Sequence, residues 1–146
     1  MNIRTMDIAP KTTVAEIMYR NARKYPNKEA IVFKDTRLSF RELDELSNQV
    51  ANFMVKLGVQ KGDRVGMLMR NSEKFPAVYF GILKAGGVVI SINISFLKPE
   101  VQFILNNSEA KLFVFDEYFA PVLEGLRSEV PLVDNFVCVG DNPPSG

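Results

Sequence analysis

Gly62 to Asn93 reads GDRVGMLMRNSEKFPAVYFGILKAGGVVISIN, and the order of residue types within it decides the fold. Gly62-Asp63 is a turn that feeds Arg64–Met69, an apolar run of strand character. Asn71 or Ser72 then opens a helical pattern that continues through Val78, Tyr79, Ile82 and Leu83. Pro76 falls in its first turn or just beyond, where a missing N–H costs least. Gly86-Gly87 stops the helix, and Val88–Ile92 is a second β-branched run.

Two further runs, Leu112–Asp116 and Asn135–Val139, extend the series at a spacing of about 24 residues, the range of compact βα units. No LxxLxLxxN consensus recurs, which removes a leucine-rich repeat. Continuous apolar strands alternating with helices predict an α/β, Rossmann-like layered fold whose mainly parallel sheet is covered on both faces.

Upstream, Thr13 and Glu16 match a capping box. They open a helix whose Val14, Ile17, Met18, Asn21, Ala22 and Tyr25 share one mostly apolar face, with Pro26 ending it. Ala30–Lys34, a turn at Asp35-Thr36 and Arg37–Phe40 predict a short hairpin. Ser39 and Glu42 form another capping box, followed by Leu43, Leu46, Val50, Phe53 and Leu57 as a core-facing stripe closed by Gly58. Downstream, Pro99 sits at a helix first position, with Val101, Ile104 and Leu105 as the core face. A fifth helix is predicted from about Tyr118 to Ser128, and residues 140–146 read as a loop or linker.

Composition excludes several function classes. A length of 146 residues is one domain. Net charge is +1 and the Lys and Arg residues are scattered, so nucleic acid is not an expected partner. With no histidine and only Cys138, neither a Ser-His-Asp triad nor an internal disulfide can form. Cys138 lies in an apolar run and reads as an inert strand residue. The N-terminus lacks an apolar core of signal-peptide length, and Phe75–Ile94 is too interrupted to be a membrane span. The expected location is cytoplasmic.

Chemistry-bearing candidates are few. Gly86-Gly87 follows a helix and precedes a strand, the reverse of a phosphate loop, so it reads as a helix cap and turn. No GxxxxGK[ST] occurs. Asp116 ends a strand where α/β ligand sites form, but no second carboxylate converges with it. A helix cap is the plainer role, and no metal site is expected. The loop Asn93-Ile94-Ser95-Phe96-Leu97-Lys98 also follows the C-terminal end of a strand. Asn93, Ser95, Phe96 and Lys98 are therefore candidates for a ligand rim. The competing structural reading, with Asn93 fixing the turn, Phe96 packing and Lys98 solvated, carries more weight.

Several ordered motifs resemble the AMP-forming acyl-CoA ligases, the adenylate-forming superfamily. They are Tyr25-Pro26-Asn27-Lys28-Glu29-Ala30, Leu38-Ser39-Phe40-Arg41-Glu42-Leu43, Leu57-Gly58-Val59 with Gly62-Asp63-Arg64-Val65, and Asn71-Ser72 with Gly81-Ile82-Leu83-Lys84-Ala85-Gly86-Gly87. Leu105-Asn106-Asn107-Ser108-Glu109-Ala110-Lys111 continues the series. The fatty-acyl branch is the nearest in character.

The resemblance implies that residues 1–139 are the incomplete N-terminal part of a larger ligase domain. The parent enzyme would use ATP, Mg²⁺ and CoA to convert a carboxylic acid, of the fatty-acid type, to its adenylate and then its thioester. The family's phosphate loop, adenine motif, ribose-binding Asp and catalytic Lys have no counterpart here. The expectation is therefore that the chain alone binds no cofactor and is inactive. Candidates for the acyl or CoA pocket rim are Asn93, Ser95, Phe96 and Lys98. Ser95 stands where some relatives carry a basic residue that contacts the CoA phosphate. An open sheet edge would favour self-association. Two rival readings are a stand-alone flavodoxin-like small-ligand module and a ligase-derived interaction scaffold.

Overall fold

A computed structural model of the protein describes residues 13–141. The two ends of the sequence, including most of the 140–146 tail, lie outside the described residues. The elements are α1 (Val14–Lys24), β1 (Glu29–Phe33), β2 (Thr36–Ser39), α2 (Phe40–Lys56), β3 (Arg64–Leu68), α3 (Lys74–Lys84), β4 (Val88–Ser91), α4 (Lys98–Asn107), β5 (Leu112–Asp116), two 3₁₀ turns (Glu117–Leu123 and Leu126–Glu129) and β6 (Asn135–Val139).

β1 and β2 pair antiparallel as the expected hairpin. The other four strands form one parallel sheet in the order β4-β3-β5-β6. From β3 the chain steps outward to β4, then crosses back over β3 to β5. The gap between β3 and β5 is therefore where the strand order reverses.

Side-chain alternation along β3 and β5 divides the core in two. Val65, Met67, Leu112 and Val114 pack with Met54, Val78 and Ile82 from α2 and α3. Leu68, Phe113 and Phe115 pack with Val101 and Leu105 of α4 and with Phe119, Leu123 and Leu126 of the 3₁₀ turns. α1 and the hairpin close the first layer through Met18, Leu43 and Ala77, with Ala30 and Ile31 against them.

Caps explain where the helices start. Ser39 Oγ accepts from the Glu42 amide at 3.3 Å, and Glu42 accepts from the Ser39 amide at 2.8 Å. Thr13 Oγ1 accepts from the Glu16 amide at 3.1 Å. Gly58 and Gly86 take φ of +91° and +88°, the left-handed turn that ends α2 and α3.

Four expectations need correction. On α1 only Met18 and Ala22 are buried, and Val14, Ile17 and Tyr25 are exposed. The buried stripe of α2 is Leu43, Ser47, Ala51 and Met54, while Leu46 and Phe53 are 37% and 47% exposed. Close approach of α3 turns α2 this way: a Cβ on Gly81 would overlap Val50, and Lys84 of α3 bonds the Ser47 side of α2.

Next, α3 begins at Lys74 rather than at Asn71 or Ser72, so Pro76 stands in its first turn. Finally, the predicted fifth helix is two 3₁₀ turns. Pro121 supplies no amide to an i→i−4 ladder, and Gly125 at φ +77° breaks the run.

Candidate functional site

In an open parallel sheet the reversal point leaves a crevice beyond the carboxyl ends of the strands, because the flanking connections run to opposite faces. Here that crevice has a volume of about 400 Å³ and is mainly polar. Arg70, Asn71 and Ser72 enter it from the end of β3, Asp116 and Glu117 from the end of β5, and Gly140 and Asp141 from the end of β6.

Arg70 and Asp116 bridge the reversal point. Arg70 Nε and Nη2 donate to Asp116 Oδ2 and Oδ1, each at 3.0 Å. The guanidinium also lies 4.2 Å from the centroid of the Tyr118 ring. Asp116 accepts a third bond, from the Tyr118 amide at 2.9 Å, and so caps the first 3₁₀ turn.

Burial works to raise the Asp116 pKa, but the Arg70 bonds, the Tyr118 amide and the Arg70 charge together hold its carboxyl below the usual range. The same contacts push the Arg70 pKa up. Lys74, the first residue of α3, donates to Asp141 at 2.8 Å, and that bond raises its pKa. Both of these cations are thus engaged by carboxylates.

An apolar groove of about 280 Å³ adjoins the crevice, and Glu73, Lys74 and Val139 line both. Leu46, Val50 and Phe53 of α2 form one wall, and Val137 and Val139 of β6 the other.

The loop after β4 is built differently. Asn93 Oδ1 accepts from the Ser95 amide at 2.9 Å, and the Asn93 carbonyl accepts from the Phe96 amide at 3.0 Å. Asn93 thereby shapes a tight turn and Ser95 is exposed. Phe96 packs against the core on the α4 side. Lys98 Nζ donates to the Glu124 carbonyl at 3.2 Å and to Glu129 Oε1 at 3.1 Å, tying α4 to the 3₁₀ turns. The structure gathers these four residues into one turn, on the strand at the opposite side of β3 from Asp116.

Residues 18–144 match the family described as AMP-binding enzyme. The chain belongs to the AMP-binding enzyme family. Among curated members, it is 37% identical over 95 residues to the long-chain-fatty-acid–CoA ligase FadD13 of Mycobacterium tuberculosis, covering 65% of this chain and 19% of that protein. It is 32% identical over 145 residues to the crotonobetaine/carnitine–CoA ligase of Citrobacter koseri, covering 95% of this chain and 28% of that one. Among solved structures, the N-terminal domain of FACL13 from Mycobacterium tuberculosis superposes with a TM-score of 0.83 at 30% identity, over 88% of this chain and 33% of that one. The chain therefore spans between a fifth and a third of the length of these family members.

Within this AMP-binding enzyme chain, sequence reasoning singled out Asp116 as an end-of-strand cap but missed its partner Arg70. A signal was available. Arg70 follows the apolar run of β3 as Asp116 ends that of β5, and the reversal rule places the ends of two such strands side by side. The Tyr118 contact left no trace in the sequence, because it depends on the 3₁₀ turn after β5. Gly86-Gly87, read as a cap and turn, ends α3 far from the crevice: the Gly62 amide donates to the Gly86 carbonyl at 2.9 Å, at the amino end of the sheet.

Proposed function

We propose that this chain is the N-terminal part of an ATP-dependent acyl-CoA ligase that activates a carboxylic acid of the fatty-acid type. Residues 1–139 are its share of the ligase large domain, and 140–146 lead into the remainder. One observation carries the reading: ligase relatives align with nearly the whole chain, yet the chain aligns with only 28% of such a relative.

On this reading ATP, Mg²⁺, CoA and the acid are substrates and cofactors of the longer, cytoplasmic enzyme. Its chemistry is formation of an acyl-adenylate and transfer of the acyl group to CoA. The polar crevice does not fit a nucleotide triphosphate. Its lining sets Glu73, Asp116, Glu117 and Asp141 against Lys34, Arg70 and Lys74, and the Arg70 and Lys74 charges are already met by Asp116 and Asp141, so the crevice holds no surplus of positive charge for phosphate. The chain supplies scaffold, and its Asn93, Ser95, Phe96 and Lys98 turn supplies the rim of the acyl or CoA pocket. Taken alone the chain has no catalytic group.

Reading the gene past the Gly146 codon tests the proposal. A frame that continues into a Ser/Thr/Gly-rich loop ending in Lys-Gly supports it, and a stop codon at that point overturns it. Calorimetry adds a second check. Mg-ATP titrated into the 146-residue chain should give no saturable heat, and micromolar binding would favour a stand-alone ligand module instead.

A further inference from the structure

Lys98 ties the turn after β4 to a different part of the chain. Its Nζ donates to the Glu124 carbonyl at 3.2 Å and to Glu129 Oε1 at 3.1 Å. These acceptors stand on either side of Gly125, which separates the two 3₁₀ turns at φ +77°. The contact is partly shielded, with the Lys98 and Glu129 side chains 32% and 35% exposed. Further along α4, Asn106 Nδ2 donates to the Glu129 carbonyl at 3.0 Å. Residues 98 and 106 lie about 12 Å apart along the helix axis, at about 1.5 Å per residue. Two attachments that far apart fix the direction of α4, and with it the turn that leads into the helix.

The other bonds of the turn are local. Asn93 accepts from the Ser95 and Phe96 amides, and Glu100 Oε2 accepts from the Leu97 amide at 3.1 Å. Phe96 packs into the α4-side core, but apolar packing is non-directional and sets depth more than orientation. Asn93 and Ser95 stand exposed on the turn. The Lys98 ammonium is not offered in the same way. A ligand anion that took it would leave the Glu129 carboxylate and the Glu124 carbonyl without their donor in a half-shielded site.

We propose that Lys98 is a positioning residue of the ligand rim: through Glu129 and the Glu124 carbonyl it fixes the Asn93–Ser95 turn, and it does not itself touch the ligand. The proposal rests on the ligase reading above.

The test uses the complete ligase that contains this chain and compares wild type with Lys98→Met, Glu129→Met, the double variant and Lys98→Arg. Initial rates give kcat and the KM for ATP, CoA and the acid, and circular dichroism establishes that each variant is folded. Both methionine variants should raise the KM for CoA or for the acid at least fivefold, and whichever rises is the ligand that the rim serves. The kcat and the KM for ATP should stay within twofold. The double variant should be no worse than either single one, because both remove the same contact. Lys98→Arg keeps the charge and reaches the same acceptors, so it should stay near wild type. Glu129→Gln, isosteric but uncharged, should act in the same direction and stands in for a methionine variant that does not fold.

The sign of the Glu129 effect separates positioning from contact. If Lys98 bound the ligand directly, removing Glu129 would free the ammonium and lower the KM or leave it unchanged, while Lys98→Met would still raise it. That pattern overturns the proposal. So does an unchanged KM in every variant, or a general loss that includes the KM for ATP. A complete protein that forms no acyl-CoA from any fatty acid removes the ligase reading instead, so the two failures are distinct.

Discussion

Arg70 and Asp116 hold the ends of β3 and β5 together through two parallel bonds of 3.0 Å, at the one place in the sheet where the strand order reverses. The ion pair bridges the two strand ends, and Tyr118 lies over its guanidinium.

Asp116→Asn should lower stability at pH 7 by about 1 kcal/mol, a modest figure because solvent screens the half-exposed Arg70. The Asp116 carboxyl is held below its unfolded value, so its contribution is fully present above the ordinary carboxylate pKa of about 3.9. It is lost as pH falls through the lower folded value. Urea midpoints at pH 7 and near pH 3 check this: the gap between wild type and variant should narrow at the lower pH. A gap that stays constant would show that the charge is not what stabilises the contact.

Lys84 joins α3 to α2 with its charge almost out of water. Its Nζ donates to Asp44 Oδ1 and Ser47 Oγ, both at 2.6 Å, and to Asn48 Oδ1 at 2.9 Å. The Lys84 and Asp44 side chains are 11% and 15% exposed. Lys84→Met should cost about 3 kcal/mol, because it leaves Asp44 charged and unpaired in a confined site. Adding Asp44→Leu should recover part of that loss, since the stranded charge is removed with its partner. Thermal melts of the single and double variants read both effects.

The fold was legible where a residue type admits one local answer. Leu112–Asp116 and Asn135–Val139 are strands with the bounds expected from their apolar runs, and Ser39 and Glu42 make both bonds of their capping box. The errors lie where partners outside the segment decide, or where a breaker within the segment outweighs its helical composition. The α2 stripe is rotated because Gly81 lets α3 approach Val50, which periodicity within α2 cannot reveal. The segment after β5 has helical composition, yet Pro121 and Gly125 reduce it to 3₁₀ turns. At the crevice, Asp116 was visible as an end-of-strand carboxylate. Arg70 was not, because a partner 46 residues away becomes one only through the parallel register of β3 and β5.

Gly81→Ala tests that close approach directly. The added methyl would overlap the Val50 side chain, and the Ser47 carbonyl stands 3.1 Å away on the other side. Helix propensity alone favours Ala over Gly by about 1 kcal/mol. The expected outcome is nonetheless net destabilisation of about 1–3 kcal/mol, as for overpacked cores. Val50→Ala in the same chain should relieve it. A Gly81→Ala protein more stable than wild type in chemical denaturation would mean that α2 and α3 separate easily, and that the stripe on α2 is set by something other than this contact.

Gly86 separates a conformational requirement from a binding one. Its φ of +88° lies in the region that L side chains avoid, and a Cβ there would meet the Lys61 Cα at 3.2 Å. The turn also receives the Gly62 amide and sends Gly87 N–H back to the Ile82 carbonyl at 3.0 Å, so it joins two loops at the amino end of the sheet. Gly86→Val meets both obstacles at once, with a β-branched side chain at positive φ, and should cost about 2–4 kcal/mol or prevent folding. Gly86→Asn keeps access to left-handed geometry and should cost less, about 1 kcal/mol. Chemical denaturation ranks the two. If both variants fold as stably as wild type and only ligand binding changes, the glycine pair is a contact site and its reading as a helix cap is wrong.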